Sequence, residues 1–169
     1  HLYHTLGVYY MQDPSAMAAA VLLDPYPDEW VLDLAAAPGG KTTHIAARML
    51  LGTAALQGGS NPTGILVANE VVRRRASVLA MNVERMGVTN ALVVNETPER
   101  LAARWPGLFD AVLVDAPCSG EGTFSRDSQA IRDWSLDTVL GNARRQKQIL
   151  EQTAPLVRRA HIADWAAAS

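Results

Sequence analysis

An α/β fold built on a parallel sheet is what this sequence predicts, and three features carry the prediction. Short apolar runs alternate with helical stretches along most of the chain. A glycine-rich turn, Pro38-Gly39-Gly40, follows the first apolar run, and an acid, Glu70, closes the second. Helical crossovers between consecutive apolar strands make those strands parallel.

The elements follow in order. Asp13-Pro14-Ser15 opens a helix that runs through Leu23 and is stopped by Pro25 and Pro27. Trp30-Val31-Leu32-Asp33-Leu34 is a short buried strand, and Gly39-Gly40-Lys41-Thr42 starts a helix that reaches Met49. Residues 51–63 hold Gly52, Gly58, Gly59, Asn61 and Pro62 and read as a surface loop. Residues 64–70 form the second strand. A helix over 71–85 carries Val71, Val72, Val78, Leu79 and Met86 at helical spacing and ends at Gly87. A third strand over 91–95, a short helix over 98–104, a fourth strand over 109–114 and a mostly helical stretch over 135–157 complete the pattern.

A fifth strand should come next. Instead the chain runs Ala160-His161-Ile162-Ala163-Asp164-Trp165, with neither a turn signal nor a β-branched run. The expectation is one partial domain over 1–169, incomplete at the C-terminal side of its sheet, with a tail of different character from about residue 159. The chain opens on His1 rather than Met, so its natural start is expected to lie upstream.

Composition excludes several classes. An apolar content of 49% supplies a core, and a charged fraction of 19% argues against disorder. The net charge of −2 gives no global basic field, so nucleic-acid contact needs local patches. Arg73-Arg74-Arg75, Arg144-Arg145 and Arg158-Arg159 are the candidates, each also readable as a solvated helix face. The single cysteine rules out an internal disulfide and a multi-cysteine metal site, and the histidines show no metal-ligand spacing. No metal and no membrane partner are expected. Without a visible signal peptide or spanning run, the cytoplasm is the expected location.

Chemistry concentrates at two turns. Pro38-Gly39-Gly40 lets backbone approach a ligand, and the following helix N-terminus favours a carboxylate or phosphate. Gly40-Lys41-Thr42 also matches the end of a phosphate-binding P-loop, with Asp115 as a magnesium ligand. That motif needs glycine where Ala35 stands, and Pro38 stiffens a loop that should wrap phosphates. A Rossmann-like adenosine site is therefore favoured. Glu70 fits the ribose hydroxyls, with residues 51–63 lengthening the usual span of roughly 20 residues; its other reading is an acid on a helix dipole. Asp33 reads as a loop-shaping acid. Asn95, ending the third strand, reads either as an adenine contact or as part of a turn.

The second turn is Asp115-Ala116-Pro117-Cys118-Ser119-Gly120-Glu121-Gly122. A lone cysteine is usually a small buried hydrophobe. Cys118 differs because it follows a proline in a glycine-rich turn beside an acid. Methylating carbon 5 of cytosine needs a thiolate on carbon 6, methyl transfer from a sulfonium donor, then removal of the carbon-5 proton and release of the thiol.

At these residues the chain resembles the Nop/Sun family of RNA (cytosine-5) methyltransferases, the bacterial rRNA type in particular. The resemblance covers residues 9–157. It includes Gln12-Asp13-Pro14-Ser15, residues 35–43, Ala68-Asn69-Glu70, Asn82-Val83-Glu84-Arg85-Met86-Gly87 and the Cys118 turn. It implies a Rossmann-like methyltransferase fold that holds S-adenosylmethionine through Ala35, Ala36, Ala37, Pro38, Gly39, Gly40, Lys41, Glu70 and Asp115, with Asn95 or Glu96 near the adenine. It implies an RNA partner, rRNA first and tRNA second. Family members use two cysteines: one in the Pro-Cys turn for product release, and a nucleophile in a Thr-Cys pair after the fifth strand. Cys118 matches the first, and this sequence holds nothing that matches the second. The resemblance therefore also implies a truncation before the nucleophile motif and an inactive fragment. The alternatives are a non-catalytic cofactor- or RNA-binding module and a P-loop nucleotide hydrolase.

Overall fold

The computed structural model describes residues 2–55, 63–116, 118 and 128–158. Its strands are β1 (Trp30–Asp33), β2 (Ile65–Asn69), β3 (Ala91–Val94) and β4 (Ala111–Leu113). They form one parallel sheet in the order β3-β2-β1-β4. The helices are α1 (Leu2–Thr5), α2 (Pro14–Leu23), α3 (Gly40–Ala55), α4 (Arg73–Arg85), α5 (Pro98–Arg104), α6 (Ser128–Asp133) and α7 (Leu136–Thr153), with a 3₁₀ turn at Ala154–Leu156. This strand order reverses direction between β1 and β4. A crevice opens outside the carboxyl ends of strands at such a point.

The sheet is covered on both faces, which explains the continuous apolar strands. In register, Val31 lies beside Leu66 and Ala111, while Leu32 lies beside Val67 and Val112. Val31 and Leu66 pack with Ala20, Ile45, Ala46 and Met49 from α2 and α3. Leu32 and Val67 point the other way and pack with Leu101, Phe109 and Leu156. Leu79 and Val83 of α4 close the first face over Ala68 and Ala37.

Local signals set the boundaries. Asp13 caps α2 by accepting from the Ser15 N–H at 3.0 Å, Thr97 caps α5 and Ser135 caps α7. Gly87, at φ +64°, follows the end of α4 in the left-handed conformation.

Differences from the sequence reading are local. The loop expected from residue 51 begins later, because α3 continues to Ala55. Gly52 belongs to this helix, where a Cβ would stand 2.7 Å from Pro27 Cγ. It is a close-approach glycine, not a loop signal. The remainder of that expected loop up to residue 62 lies outside the described residues, as do most of the Cys118 turn and the tail from 159. The short helices α1 and α6 carry no apolar stripe and were not expected; α1 buries none of its residues. The stretch 135–157 leaves the helix at Thr153. Val157 then forms a parallel bridge to Phe109, with the Arg158 N–H donating to the Phe109 carbonyl at 2.8 Å. A single rung of pairing thus stands at Phe109, just ahead of β4. Asp110 ties it down by accepting from the Trp30 N–H at 2.8 Å and pairing with Arg158 at 2.7 Å.

Candidate active site

The glycine turn leaves β1 and is held from three directions. The Ala36 N–H donates to the Asn69 carbonyl at 2.8 Å, tying the turn to the end of β2. From α4, Arg75 Nη2 donates to the Ala37 carbonyl at 2.9 Å and Asn82 Nδ2 donates to the Pro38 carbonyl at 2.8 Å. Gly39 sits at φ +113°, which L side chains rarely adopt. At Gly40 the limit is space, since a Cβ would meet Tyr10 Cε1 at 3.1 Å. Tyr10 in turn lies under the Arg85 guanidinium, 5.7 Å from its ring centre, and Arg85 also donates to Asn82 and to the His4 carbonyl. The Asn82-to-Gly87 motif therefore works as a brace.

Two cavities open at this end of the sheet, and Ala35 lines both. The first, of about 250 Å³, lies between the turn and the segment before α2; Gln12, Asp33, Gly40, Lys41 and Asp115 are among its walls. The second, of about 320 Å³, is bounded by Glu70, Val71, Arg75, Thr97 and Ile149.

Glu70 is 2% exposed. Its Oε1 accepts from the Val72 N–H at 2.9 Å, and its Oε2 faces Arg75 Nη1 at 3.4 Å without forming a hydrogen bond. One buried carboxylate oxygen is therefore without a hydrogen bond. Asp33, at the end of β1, is 1% exposed. The Thr42 hydroxyl donates to its Oδ2 at 2.7 Å, while Oδ1 is buried without a partner. Burial pushes its carboxyl up to about 6, against the opposing pull of the Thr42 hydrogen bond and of Lys41. Lys41 Nζ meets Asp115 Oδ2 at 2.6 Å, bridging the glycine turn to the end of β4.

Residues 35–38, Gly40, Lys41, Glu70 and Asp115 thus come together around the paired cavities, while Gly39 faces Leu79 and Asn82 of α4. Asn95 does not join them. Its Nδ2 donates to the carbonyls of Glu70 and Val71 at 2.6 and 2.9 Å, so it shapes the backbone beneath Glu70. Asn95 and Glu96 line a different, open groove of about 710 Å³ with Leu92 and Trp105. Glu96 contributes its main chain to Asn69, which also donates to the Leu34 carbonyl and so ties three strand ends together. Cys118 is exposed. Arg75, expected in a nucleic-acid patch, is instead committed to Ala37 and Glu70. Arg158 is likewise committed to Asp110, and Arg159 lies outside the described residues. Asn69 and Asn82 sat within the noted motifs, yet no spacing rule assigns an amide its carbonyl partner.

A family model for 16S rRNA methyltransferase RsmB/F matches residues 20–163. The chain belongs to this family. Among curated RsmB/F relatives, ribosomal RNA small subunit methyltransferase F of Vibrio vulnificus is 45% identical over 150 residues, covering 88% of this chain and 29% of that protein. The Citrobacter koseri protein of the same name is 37% identical over the same share of each. The chain therefore spans about 29% of the length of these relatives. Among solved structures, PH0851 is 32% identical with a TM-score of 0.77, covering 94% of this chain and 33% of its own. NSun6 from Pyrococcus horikoshii with SFG is 28% identical with a TM-score of 0.74, covering 93% of this chain and 37% of its own. The parallel α/β sheet of this RsmB/F chain is thus the methyltransferase sheet over part of its width. Among its described residues no helix is long and apolar enough to cross a membrane.

Proposed function

We propose that this chain carries the S-adenosylmethionine site of an rRNA (cytosine-5) methyltransferase. The observation that carries the reading is the pair of cavities meeting at Ala35, with Glu70 in one and Lys41 and Asp115 in the other. The residues fit such a cofactor. Glu70 Oε2 is a buried acceptor without a hydrogen bond, suited to a ribose hydroxyl, and the opening turn of α3 presents N–H groups to a carboxylate. When bound, the cofactor supplies an electrophilic methyl group on a sulfonium.

The protein's own part is binding and orientation. Glu70 holds the ribose end, and Arg75 holds both Glu70 and the glycine turn in place. Asp115 connects the cofactor site to Cys118, three residues along the chain. In this reading Cys118 assists release of the methylated base and is not the attacking thiolate. The location is cytoplasmic and the RNA is rRNA. RNA contact falls to uncommitted arginines such as Arg74 and Arg144, and it should weaken steeply as salt rises.

Isothermal titration tests the reading. S-adenosylmethionine should bind and ATP should not. ATP binding in preference would move the site to phosphate chemistry. RNA carrying 5-fluorocytosine tests the thiol. An adduct on Cys118 would make it a nucleophile and overturn its release role.

A further inference from the structure

The open groove of about 710 Å³ lies between the outer strand β3 and α5, and it shares no wall residue with either cavity at the glycine turn. Its apolar walls are Leu92, Val94, Leu101 and Trp105. Leu92 is 49% exposed although it stands on a strand, while Leu101 is fully buried. Trp105 is half-buried and meets Phe109 edge-on, 6.1 Å between ring centres, so its ring is held in place. Arg100 and Arg104 line the same groove, one turn apart on α5 and about 6 Å along its axis. Both are exposed. Glu96, the one acid among the described wall residues, is taken up by Arg100 at 3.0 Å. The Arg104 side chain has no such partner among the described residues. The walls therefore carry a net positive charge on a chain whose net charge is −2. Neither arginine belongs to a basic cluster in the sequence, so the patch exists only in the folded chain.

We propose that this groove binds unpaired RNA, with a base stacked on Trp105 and the neighbouring phosphates on Arg104 and Arg100. The walls make two demands at once: a flat apolar face for the aromatic ring, and anions spaced along the cations. A single strand meets both, since every base has a π face and every linkage a charge. A duplex offers phosphates but keeps its bases stacked on one another, leaving Leu92 and Trp105 wet. An acidic peptide pairs with the arginines and offers Trp105 no comparable face. The site rests on the RNA reading above, and it adds a grip on the RNA outside the cofactor cavities.

Fluorescence anisotropy of the full chain with labelled oligouridylate at low salt tests the groove. Arg104→Glu should weaken binding about tenfold, and Arg104→Lys should keep most of the affinity. Trp105→Leu should also cost about tenfold, the scale of one base stacked on an aromatic ring. Glu96→Gln should tighten binding, because it removes the acid that competes for Arg100. Arg104 is exposed and the Glu96 carboxylate pairs with a surface arginine, so these two variants decide the matter even where Trp105→Leu melts early. Weaker or unchanged binding in Glu96→Gln would overturn an anionic occupant. Unlabelled duplex RNA and oligoglutamate should displace the probe poorly; displacement by either as effective as by oligouridylate would overturn the stacked base. Parental affinity in both Arg104→Glu and Trp105→Leu would overturn the groove and leave RNA contact to Arg74 and Arg144. A parent chain that binds no RNA would overturn the RNA reading itself, and the groove with it.

Discussion

Asp33 and Glu70 stand at the ends of neighbouring strands, equally buried, and their surroundings differ. Glu70 receives a backbone N–H and faces a guanidinium. Asp33 receives a single hydroxyl, and the carboxyls of Asp115 and Glu70 push against its charge. Burial by itself disfavours the ionised form; partners decide how much of that cost is recovered. The carboxylate at the β2 end is therefore partnered on one oxygen and faces a cation with the other. The β1 end carries a carboxyl whose ionised form still lacks its counterpart.

The largest effect that would sharpen this contrast is on stability. The Asp33 carboxyl stands at about 6 in the folded chain against an ordinary 3.8. Between those values the folded state binds the extra proton, so stability falls as pH rises from about 4 to 6 and is level above. The full cost at neutral pH is about 3 kcal/mol, to order of magnitude. Asp33→Asn should recover part of it, raising the melting temperature at pH 7.5 and leaving it nearly unchanged at pH 4. A variant that melts lower at both pH values would mean that the carboxyl is no burden.

Next comes Glu70→Ala. It should weaken S-adenosylmethionine by ~1.5–3 kcal/mol, about ten- to a hundredfold. Calorimetry showing parental affinity would remove the ribose role. Asn95→Ala, which deletes the donor to the carbonyls of Glu70 and Val71, should destabilise the chain by about 1–2 kcal/mol in urea unfolding. No change would mean that the backbone beneath Glu70 holds without it. Smallest is Lys41→Met. Its pair with Asp115 is partly exposed, so the loss should be at most about 1 kcal/mol and should shrink at high salt. A larger, salt-independent loss would make the bridge a structural post between the glycine turn and β4.

Much of this contrast was readable along the chain, because it is made of local chemistry. Apolar runs of strand length, Thr97-Pro98 at a helix start, Gly39-Gly40 in a tight turn and an acid closing β2 are all signals within a few residues. The helix over 98–104 was placed at its observed limits. Asn95 shows where that reasoning stops: a polar residue at a strand end offers the same signal whether it faces a ligand or a carbonyl. The same holds for Gly52, which breaks loops and packs helices equally well in sequence.

By itself, the sequence determined the alternation of elements, the parallel sheet, the glycine turn and the family, since periodicity and short motifs encode them. Only the tertiary structure decided which polar groups remain without partners. Arg75 is committed to Ala37 and Glu70 across 38 residues of chain and five, respectively, and Asn82 to Pro38 across 44. Gln12 and Asp33 come to share one cavity only when the segment before α2 folds over the end of β1. Partnership is a property of distance in space, and a linear pattern specifies it only where the partners are neighbours in the chain.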